Sequence, residues 1–462
     1  MLFNSIDFAI FLPIVFVLYW FITNKNLKLQ NFLIVVASYL FYGWWDWKFL
    51  SLILFSTLVD YSIGRGLLNQ ENASKRKVLL WLSIVVNLGF LGFFKYYNFF
   101  IDNFTAAFTF FGMNIKASSL NIVLPVGISF YTFQTLSYSI DVYKRKLEPT
   151  KDFIAFAAFV SFFPQLVAGP IERATNLIPQ ILNKRKFDKI EFINGIKLII
   201  YGFFLKIFIA DTLAPIVNDI FNNYENVSGG TLILGAIFFS FQIYGDFGGY
   251  SKIARGTSML FGFNLMENFN FPYFSRNIGE FWRRWHISLN TWFRDYLYIP
   301  LGGSRKGKYR SLLNISIIFL VSGFWHGANW TFIVWGALHS LLFIPIFLSN
   351  NNRKYLGPFK FDKLNFDKLR QLFGILSTYI LVTFAWIFFR SDTITDAVKY
   401  IQKINFNFDN YLGFLWIILI GVIVDILIQF PKYNKLLYPL MIGAFIAAAF
   451  SSTKSEFIYF QF

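Results

Sequence analysis

Residues 279–310 read GEFWRRWHISLNTWFRDYLYIPLGGSRKGKYR, and residues 311–339 read SLLNISIIFLVSGFWHGANWTFIVWGALH. The first segment interleaves tryptophans with arginines at helical spacing, which predicts an amphipathic helix at a bilayer surface. Its apolar face would carry Trp282, Trp285, Leu289, Phe293 and Tyr296. The second segment is uncharged from Ser311 up to His326 and predicts an apolar helix. His326 is therefore a functional candidate, because ionisable side chains inside apolar spans are rare and usually functional.

The composition of the whole chain predicts an integral membrane protein. Of its 462 residues 56% are hydrophobic and 22% aromatic, and the mean hydropathy is +0.51. The net charge of +17 lies largely in short loops between apolar runs, where the positive-inside rule accounts for it without a nucleic-acid partner. Cysteine is absent, which excludes disulfides, thiolate nucleophiles and cysteine-ligated metals.

Apolar runs recur along the chain and predict about twelve membrane crossings in a single domain covering residues 1–462. Residues 350–368 form the one linker-like stretch. In FAWIFFR (384–390), Trp386 and Arg390 lie four apart at a helix end, which is typical of an interfacial anchor. The first run has no preceding basic residue and no small-residue cleavage site, so it is expected to be retained as a helix. Besides the apolar helix after Ser311, the runs lie near residues 8–22, 29–45, 50–68, 78–94, 120–142, 192–214, 231–248, 370–390, 411–430 and 437–452.

The distribution of charge in the loops predicts the topology. Basic clusters at residues 75–77 and 144–146 are expected in the cytoplasm, with the N-terminus outside. The loop at residues 219–230 has no lysine or arginine and is expected outside. One apolar run, residues 153–168, separates two basic loops, so we expect it to be re-entrant with its bend at Gly169-Pro170. That pair either lines a cavity or simply breaks a helix.

Three polar positions carry the candidate chemistry, each beside a structural interpretation. Burial would keep His326 neutral and able to accept a proton as a general base, or the ring would hydrogen-bond between helices. Gly323 and Gly327 on either side of it would let a backbone or a substrate approach closely. His286 is either catalytic or an interfacial polar residue. Asp246, among Gly245, Gly248 and Gly249, either lines a polar cavity or caps the helix that begins near Ser251. No metal is expected, because the three histidines lack ligand spacing. His339 lies one motif beyond His326 and is expected to be structural.

Five motifs give the chain a resemblance to the membrane-bound O-acyltransferase (MBOAT) family, and to its bacterial branch that acylates surface polysaccharides in particular. They are FFPQLVAGPIER (162–173), QIYGDFGGYSKIARG (242–256), FWRRWHISLNTWFRDYLYIPLGG (281–303), SGFWHGANWTFIVWG (322–336) and FAWIFFRSD (384–392). The resemblance implies an all-α polytopic fold of about 11–13 transmembrane helices around a thin central layer, with re-entrant and interfacial helices. It implies that His326 is catalytic and that His286 occupies the partly shared upstream position.

The resemblance further implies transfer of an acyl group, most simply acetyl, from a cytoplasmic thioester to a hydroxyl of a cell-surface polysaccharide or peptidoglycan. The donor would be acetyl-CoA or an acyl-carrier-protein thioester, with no bound cofactor. We expect a bacterial cytoplasmic membrane location and a secreted or membrane-anchored SGNH-type partner. His326 would act as base, and His286 would position the thioester or polarise its carbonyl. Residues expected to contact donor or substrate are Arg283, Arg284, Trp285, Asn290, Asp246 and Trp325.

The donor would dock on a basic inner face formed by Arg283, Arg284, Arg305, Lys306, Lys308 and Arg310. Transfer of D-alanyl or another acyl group to teichoic acid is the alternative within the same chemistry. A secondary transporter or flippase would require inverted repeats with paired intramembrane acids, and the sequence has neither. A non-catalytic scaffold for a secretion complex is the third possibility.

Overall fold

The structure, a computed structural model, describes residues 1–113, 119–357, 359, 366–451 and 457–458. Over these residues the secondary structure is helical and contains no β-strand, so the predicted all-α fold is confirmed. Contacts divide the chain into two compact units. The first comprises Met1–Ile199 with Ile253–Met266, and the second comprises Ile200–Lys252 with Glu267–Phe462. The expectation of one domain over residues 1–462 stays a prediction.

The first unit is built from ten helices, the last of which continues into the second unit. They are α1 (Ile6–Val17), α2 (Leu27–Gly43), α3 (Leu50–Leu68), α4 (Ala73–Leu91), α5 (Tyr97–Phe110), α6 (Ile128–Tyr143), α7 (Phe153–Ser161), α8 (Phe163–Leu166), α9 (Ala174–Leu182) and α10 (Lys189–Phe203). The predicted boundaries of α2 and α3 agree to within about two residues, and the predicted run at 8–22 corresponds to α1 together with the π-helical turn Leu18–Ile22. The run near 78–94 is longer than predicted, because α4 continues through a π-helical turn into α5.

The second unit holds the remaining helices, and α13 begins in it and ends in the first. They are α11 (Thr212–Asn222), α12 (Gly229–Ile243), α13 (Gly249–Leu260), α14 (Ile278–Arg284), α15 (Ile287–Phe293), α16 (Lys308–His326), α17 (Trp330–Leu348), α18 (Phe366–Arg390), α19 (Ile394–Gln402), α20 (Leu415–Leu427) and α21 (Asn434–Ser451). Three π-helical turns also belong to this unit, at Phe204–Asp211, Tyr244–Gly248 and Arg294–Tyr298. Part of the predicted linker at 350–368 lies outside the described residues.

Helix length and exposure identify the protein as a multi-pass membrane protein. Among the described residues, seven helices are long and apolar enough to cross a bilayer, and four apolar helices are shorter. In α1 the outward stripe of Ile6, Ile10 and Ile14 is 75%, 59% and 54% exposed, while Phe8 and Phe11 are buried. A helix that is apolar on both its buried and its outer face suits lipid rather than water.

The segment predicted to be re-entrant folds as the two short helices α7 and α8, neither long enough to cross a bilayer. Helix α7 ends before Phe162, because Pro164 has no N–H to donate to the carbonyl four residues earlier. The first break therefore precedes the expected bend at Gly169-Pro170. Gly169 is required by packing instead, since a Cβ there would lie 2.3 Å from the Cα of Gln165.

Candidate active site

His286 lies at a sharp break between two short helices of the second unit. The continuous amphipathic helix predicted for this segment is wrong: α14 ends at Arg284, Trp285 is extended, and His286 adopts a left-handed conformation with φ 43°. Asn290 stabilises the break by donating its Nδ2 to the carbonyls of Trp282 and Trp285, at 2.7 and 2.6 Å. A left-handed non-glycine residue costs about 1–2 kcal/mol, and such strain clusters at functional sites.

The break also removes the predicted surface location, because four of the five residues assigned to the apolar face are buried. Trp282, Trp285, Leu289 and Phe293 have little or no solvent exposure. Neighbouring backbone fixes the segment, since Asn270 N–H donates to the Arg284 carbonyl and Ile287 N–H to the Asn268 carbonyl, both at 3.0 Å. The tryptophans therefore build the interior of the site.

Asn268 determines which nitrogen of His286 carries the proton. Its Oδ1 accepts the Ser288 hydroxyl at 2.6 Å and the Ser288 N–H at 3.3 Å, and it faces His286 Nδ1 at 3.3 Å. The hydroxyl and the backbone N–H of Ser288 are both donors, so Asn268 Oδ1 is an acceptor. His286 Nδ1 therefore carries the hydrogen that faces it. The lone pair of the neutral ring is then on Nε2. Burial lowers the pKa of His286 to about 3, which keeps the ring neutral at physiological pH.

This tautomer bears on the role expected for His286. Polarising a thioester carbonyl requires an N–H donor at the reacting nitrogen, whereas Nε2 in this tautomer is an acceptor. The geometry is therefore at odds with carbonyl polarisation and suits acceptance of a hydrogen bond from a substrate N–H or O–H.

His326 is the last residue of α16, and the glycines on either side of it are required by packing. A Cβ on Gly323 would lie 2.2 Å from the Phe332 carbonyl oxygen, and a Cβ on Gly327 would lie 2.1 Å from the Phe332 ring. The close approach predicted for these glycines is therefore made by α17 of the protein itself. After His326 the chain reaches Asn329, which caps α17 by accepting the Thr331 N–H at 3.0 Å.

The three histidines are joined by aromatic rings into one buried group, here called the histidine cluster. The Trp325 ring lies 5.9 Å from the His286 ring and 5.1 Å from the His326 ring, between centroids. Trp335 lies 5.2 Å from His326 and 4.8 Å from His339. The remaining members are Trp282, Trp285, Trp386 and Phe389. Positions forty residues apart in sequence thus meet through a single shared indole, that of Trp325.

His339, expected to be structural, lies within this group. Its ring is fully buried and packs against Trp282 and Trp335, each at 4.8 Å. Among the described residues neither of its ring nitrogens has a hydrogen-bond partner. Its surroundings are therefore those of an aromatic packing residue, and its structural role stays a prediction.

Arg283 and Arg284 point to protein groups rather than to an open docking face. Arg283 donates to the carbonyls of Asn352 and Tyr355 at 2.6 and 2.7 Å. Arg284 is buried and pairs with Glu280 at 2.9 Å. Both guanidinium groups thus hold neighbouring segments in place. Arg283 is nevertheless exposed, as are the other basic residues of the predicted inner face, Arg305, Lys306, Lys308 and Arg310.

Asp246 belongs to a second buried polar group, here called the Lys206 cluster. Lys206 Nζ lies 2.6 Å from Asp246 Oδ1 and 2.8 Å from Asp211 Oδ1, and all three side chains are buried. The Ile458 N–H donates to Asp246 Oδ2 at 2.6 Å. Neither interpretation made from the sequence describes this environment, since the helix runs through Asp246 without a cap and both carboxylate oxygens are bound by protein groups.

The Lys206 cluster supports the histidine cluster through two packed π-helical turns. Asp211 ends one turn and Asp246 lies in the other. A Cβ on Gly245 would lie 2.7 Å from the Leu205 carbonyl oxygen, so the turns need this glycine to approach. Phe247, which follows Asp246, packs edge-to-face with His286, with 4.7 Å between the ring centroids. The ion pair therefore fixes one wall around His286.

Several residues of the site were missed or misread in the sequence. Trp386 was interpreted as an interfacial anchor but is 1% exposed and stacks on Trp335 at 5.5 Å. Its membership of the FAWIFFRSD motif was the available signal. Asn268 and Lys206 carried no signal, because each acquires its role from a partner brought near by folding.

Comparison with known proteins agrees with this geometry. Residues 149–346 match the family model of MBOAT, the membrane-bound O-acyltransferase family. The probable alginate O-acetylase AlgI of Pseudomonas putida is 41% identical over 404 residues, which cover 86% of this chain and 79% of that protein. The peptidoglycan O-acetyltransferase of Helicobacter pylori is 34% identical over 437 residues, covering 87% and 79%. The teichoic acid D-alanyltransferase of Bacillus subtilis is 28% identical over 283 residues, covering 58% and 69%.

The matched region contains His286, His326 and His339 together with the tryptophans that join them. Identity of 34–41% extends well beyond that region, over most of this chain and most of each relative. This chain belongs to the membrane-bound O-acyltransferase family and is a multi-pass membrane O-acyltransferase.

Proposed function

We propose that this protein transfers acetyl groups from a cytoplasmic thioester to hydroxyls of a cell-surface polysaccharide or peptidoglycan, in the cytoplasmic membrane of a bacterium. The observation that carries the proposal is the pairing of His326 and His286 through Trp325 inside a buried aromatic cluster. A neutral imidazole in such surroundings can accept a proton without a charged neighbour having to be displaced. Relatives named for O-acetylation of alginate and peptidoglycan support the choice of acetyl and of a glycan.

His326 and His286 have different roles in this reaction. His326 takes the proton of the acceptor hydroxyl while the hydroxyl oxygen attacks the thioester carbonyl carbon. The carbon–sulfur bond then breaks, and the leaving thiolate receives the proton from His326, which yields an ester and a thiol. His286 accepts a hydrogen bond from a substrate N–H or O–H at Nε2 and so orients the substrate beside His326. Its pKa of about 3 leaves it too weak a base to replace His326 at neutral pH.

The donor is acetyl-CoA or an acyl-carrier-protein thioester, and the exposed loop of Arg305, Lys306 and Arg310 is where it docks. These side chains carry positive charge on an exposed segment directly before α16. Phosphates of coenzyme A or the acidic surface of a carrier protein are attracted to such a loop. We assign docking to this loop rather than to Arg283 and Arg284, because those two guanidinium groups donate to or pair with groups of the protein. A secreted or membrane-anchored SGNH-type partner is the alternative acceptor of the acetyl group, and it would pass the group on to the final polymer.

D-alanyl transfer to teichoic acid is the second candidate. It is supported by relatives named for that reaction, at 28–30% identity over about three fifths of this chain. The O-acetylation relatives cover more of the chain at higher identity, so acetyl transfer is the preferred assignment.

The proposal is tested with the purified full chain in nanodiscs, comparing wild type with His326→Ala. The assay follows transfer of radiolabelled acetyl from acetyl-CoA to mannuronate oligosaccharides and to peptidoglycan glycan fragments. We expect His326→Ala to lose activity by about 10²-fold or more, the usual contribution of a general base, with normal membrane abundance. His286→Ala should leave measurable activity. Full activity in His326→Ala would end the mechanism, and transfer from a D-alanyl thioester alone would favour the second candidate.

A further inference from the structure

A polar pocket of about 370 Å³ lies at the ends of α11 and α18 in the second unit. Its size falls in the range of small-molecule sites. One wall is aromatic, where Phe221 and Tyr400 stack at 4.7 Å between ring centroids. The other wall is polar and includes Arg390, Asp392 and Asp396. We call it the Arg390 pocket. Aromatic ring edges beside charged donors and acceptors suit a ligand that has both apolar C–H surface and hydroxyl groups.

The polar wall offers donors and acceptors side by side. Arg390 lies over the Phe221 ring at 5.3 Å, and one of its nitrogens donates to Asn218 at 2.8 Å. A guanidinium has five N–H groups, so this bond occupies only part of its donor capacity. Asp396 accepts the hydroxyls of Thr393 and Tyr224, which lower the pKa of its carboxyl and keep it ionised. Sugar hydroxyls can donate to the carboxylates and accept from the guanidinium at once.

The pocket is joined to the catalytic histidine by the chain itself. Phe389, which precedes Arg390, contacts the His326 ring at 5.3 Å. Asn329, three residues after His326, donates to the Asp392 carbonyl at 2.8 Å. The segment that carries the polar wall is thus fastened at two points to the end of α16. A group held in the pocket is therefore close to the part of the chain where His326 acts.

Basic residues at the far ends of α16 and α18 indicate that the pocket lies on the outer face of the membrane. The helices α16 and α18 both begin beside basic residues, Lys308 and Arg310 for α16 and Lys368 and Arg370 for α18. Both end at or next to the pocket. By the positive-inside rule the basic ends are cytoplasmic, so the pocket faces outward. The loop at residues 219–230, which supplies Asn222 and Tyr224, has no lysine or arginine.

We propose that the Arg390 pocket binds a sugar unit of the acceptor glycan on the outer face of the membrane. The assignment rests on the proposed acetyl transfer, because that reaction requires an outward-facing hydroxyl acceptor near His326. The edges of the Phe221 and Tyr400 rings that line the pocket contact C–H groups of the sugar, and Arg390 with the two aspartates binds its hydroxyls. The occupant is the glycan itself, and a hydroxyl of a partner protein is the competing outcome.

The absence of cysteine from the chain permits a direct binding test. Asn222→Cys introduces one thiol on the pocket wall, and Asn223→Cys introduces one at the adjacent exposed position outside it. Both are labelled in cells or oriented vesicles with a membrane-impermeant maleimide, with and without mannuronate oligosaccharides or peptidoglycan glycan fragments. We expect labelling from outside at both positions. One of the two oligosaccharides should slow labelling about fivefold or more at Asn222→Cys and leave Asn223→Cys unchanged.

Two further variants show whether protection reports on the acceptor. Arg390→Gln in the Asn222→Cys background should abolish protection. In an otherwise native chain, Asn222→Trp fills the pocket and should raise the apparent KM for the oligosaccharide about tenfold, with Asn223→Trp as its control. Asn223→Trp should match wild type both in this KM and in the release of free coenzyme A from acetyl-CoA without acceptor, because residue 223 lies outside the pocket.

The outcomes separate this inference from the proposed function. Equal labelling with and without both oligosaccharides, or labelling from the inner side only, overturns the pocket assignment, and acetyl transfer by wild type would still stand. Protection without any acetyl transfer would retain the site and remove the proposed reaction. Protection of Asn222→Cys by an acceptor protein but by neither oligosaccharide would overturn the glycan as occupant.

Discussion

The histidine cluster and the Lys206 cluster both bury polar groups in the second unit, but they do so in opposite ways. In the Lys206 cluster each charge faces an opposite charge at 2.6–2.8 Å. In the histidine cluster the imidazoles are surrounded by tryptophan and phenylalanine rings. Charges inside a membrane protein must be compensated by one another, so the side chains of the Lys206 cluster have a structural role. A neutral imidazole has no charge to compensate and can keep a lone pair for chemistry.

The largest expected effect is on stability, from breaking the ion cluster. Lys206→Met leaves Asp211 and Asp246 buried without their cation, and removing one partner of a buried pair costs about 3–5 kcal/mol. We expect low membrane abundance and a clearly lower Tm in detergent. The exposed Lys399→Met is the matched control and should change little, because its pair with Glu225 is exposed to solvent.

The double variant Lys206→Met with Asp246→Asn sharpens this comparison. It removes the cation together with one of its two anions, so stability should recover in part. An unchanged Tm in Lys206→Met alone would show that the cluster is not the structural support described here.

A smaller effect is expected from pH, through His286. Its pKa is about 3 in the folded protein and about 6.5 in an unfolded chain. As pH falls below 6.5 the unfolded chain binds a proton that folded His286 does not, so stability is lost between about pH 6.5 and 3. Between pH 7 and 5 this amounts to about 2 kcal/mol at most.

His286→Gln removes this contribution and tests it directly. The variant's Tm in detergent should fall less steeply between pH 7 and 5 than that of wild type. His326→Gln, measured in parallel, shows whether the change is specific to His286. Identical pH slopes in wild type and His286→Gln would contradict the neutral buried state of His286.

The smallest effect concerns the donor. Changing Arg305, Lys306 and Arg310 together to glutamine should raise the apparent KM for acetyl-CoA a few-fold, equivalent to roughly 1 kcal/mol, because the charges are exposed. Added salt should reduce the difference from wild type, since the Debye length is about 8 Å at physiological ionic strength.

Arg283→Gln is the contrasting variant for the donor surface. It frees the carbonyls of Asn352 and Tyr355, so it should lower membrane abundance while leaving the KM for acetyl-CoA unchanged. If Arg283→Gln raised the KM for acetyl-CoA while the triple variant did not, the donor would dock at the helix break around His286 rather than at the loop.

The sequence by itself determined the properties that depend on local composition. Long apolar runs require helices in lipid, because backbone groups must be satisfied within the segment, so the all-α multi-pass fold could be read directly. The motifs around His286 and His326 were equally visible, and so was the need for small residues at Gly323 and Gly327. Each of these is a property of a continuous stretch.

Only the tertiary structure decided which polar groups meet. Lys206 and Asp246 are forty residues apart, and Asn268 orients His286 from a separate segment. The same arginine–tryptophan pattern fits a surface helix or a buried break, and the pairing of Arg284 with Glu280 and the capping by Asn290 select the break. Burying a charge or an open carbonyl is permitted only when a partner is present, and that partner is supplied by folding rather than by spacing along the chain.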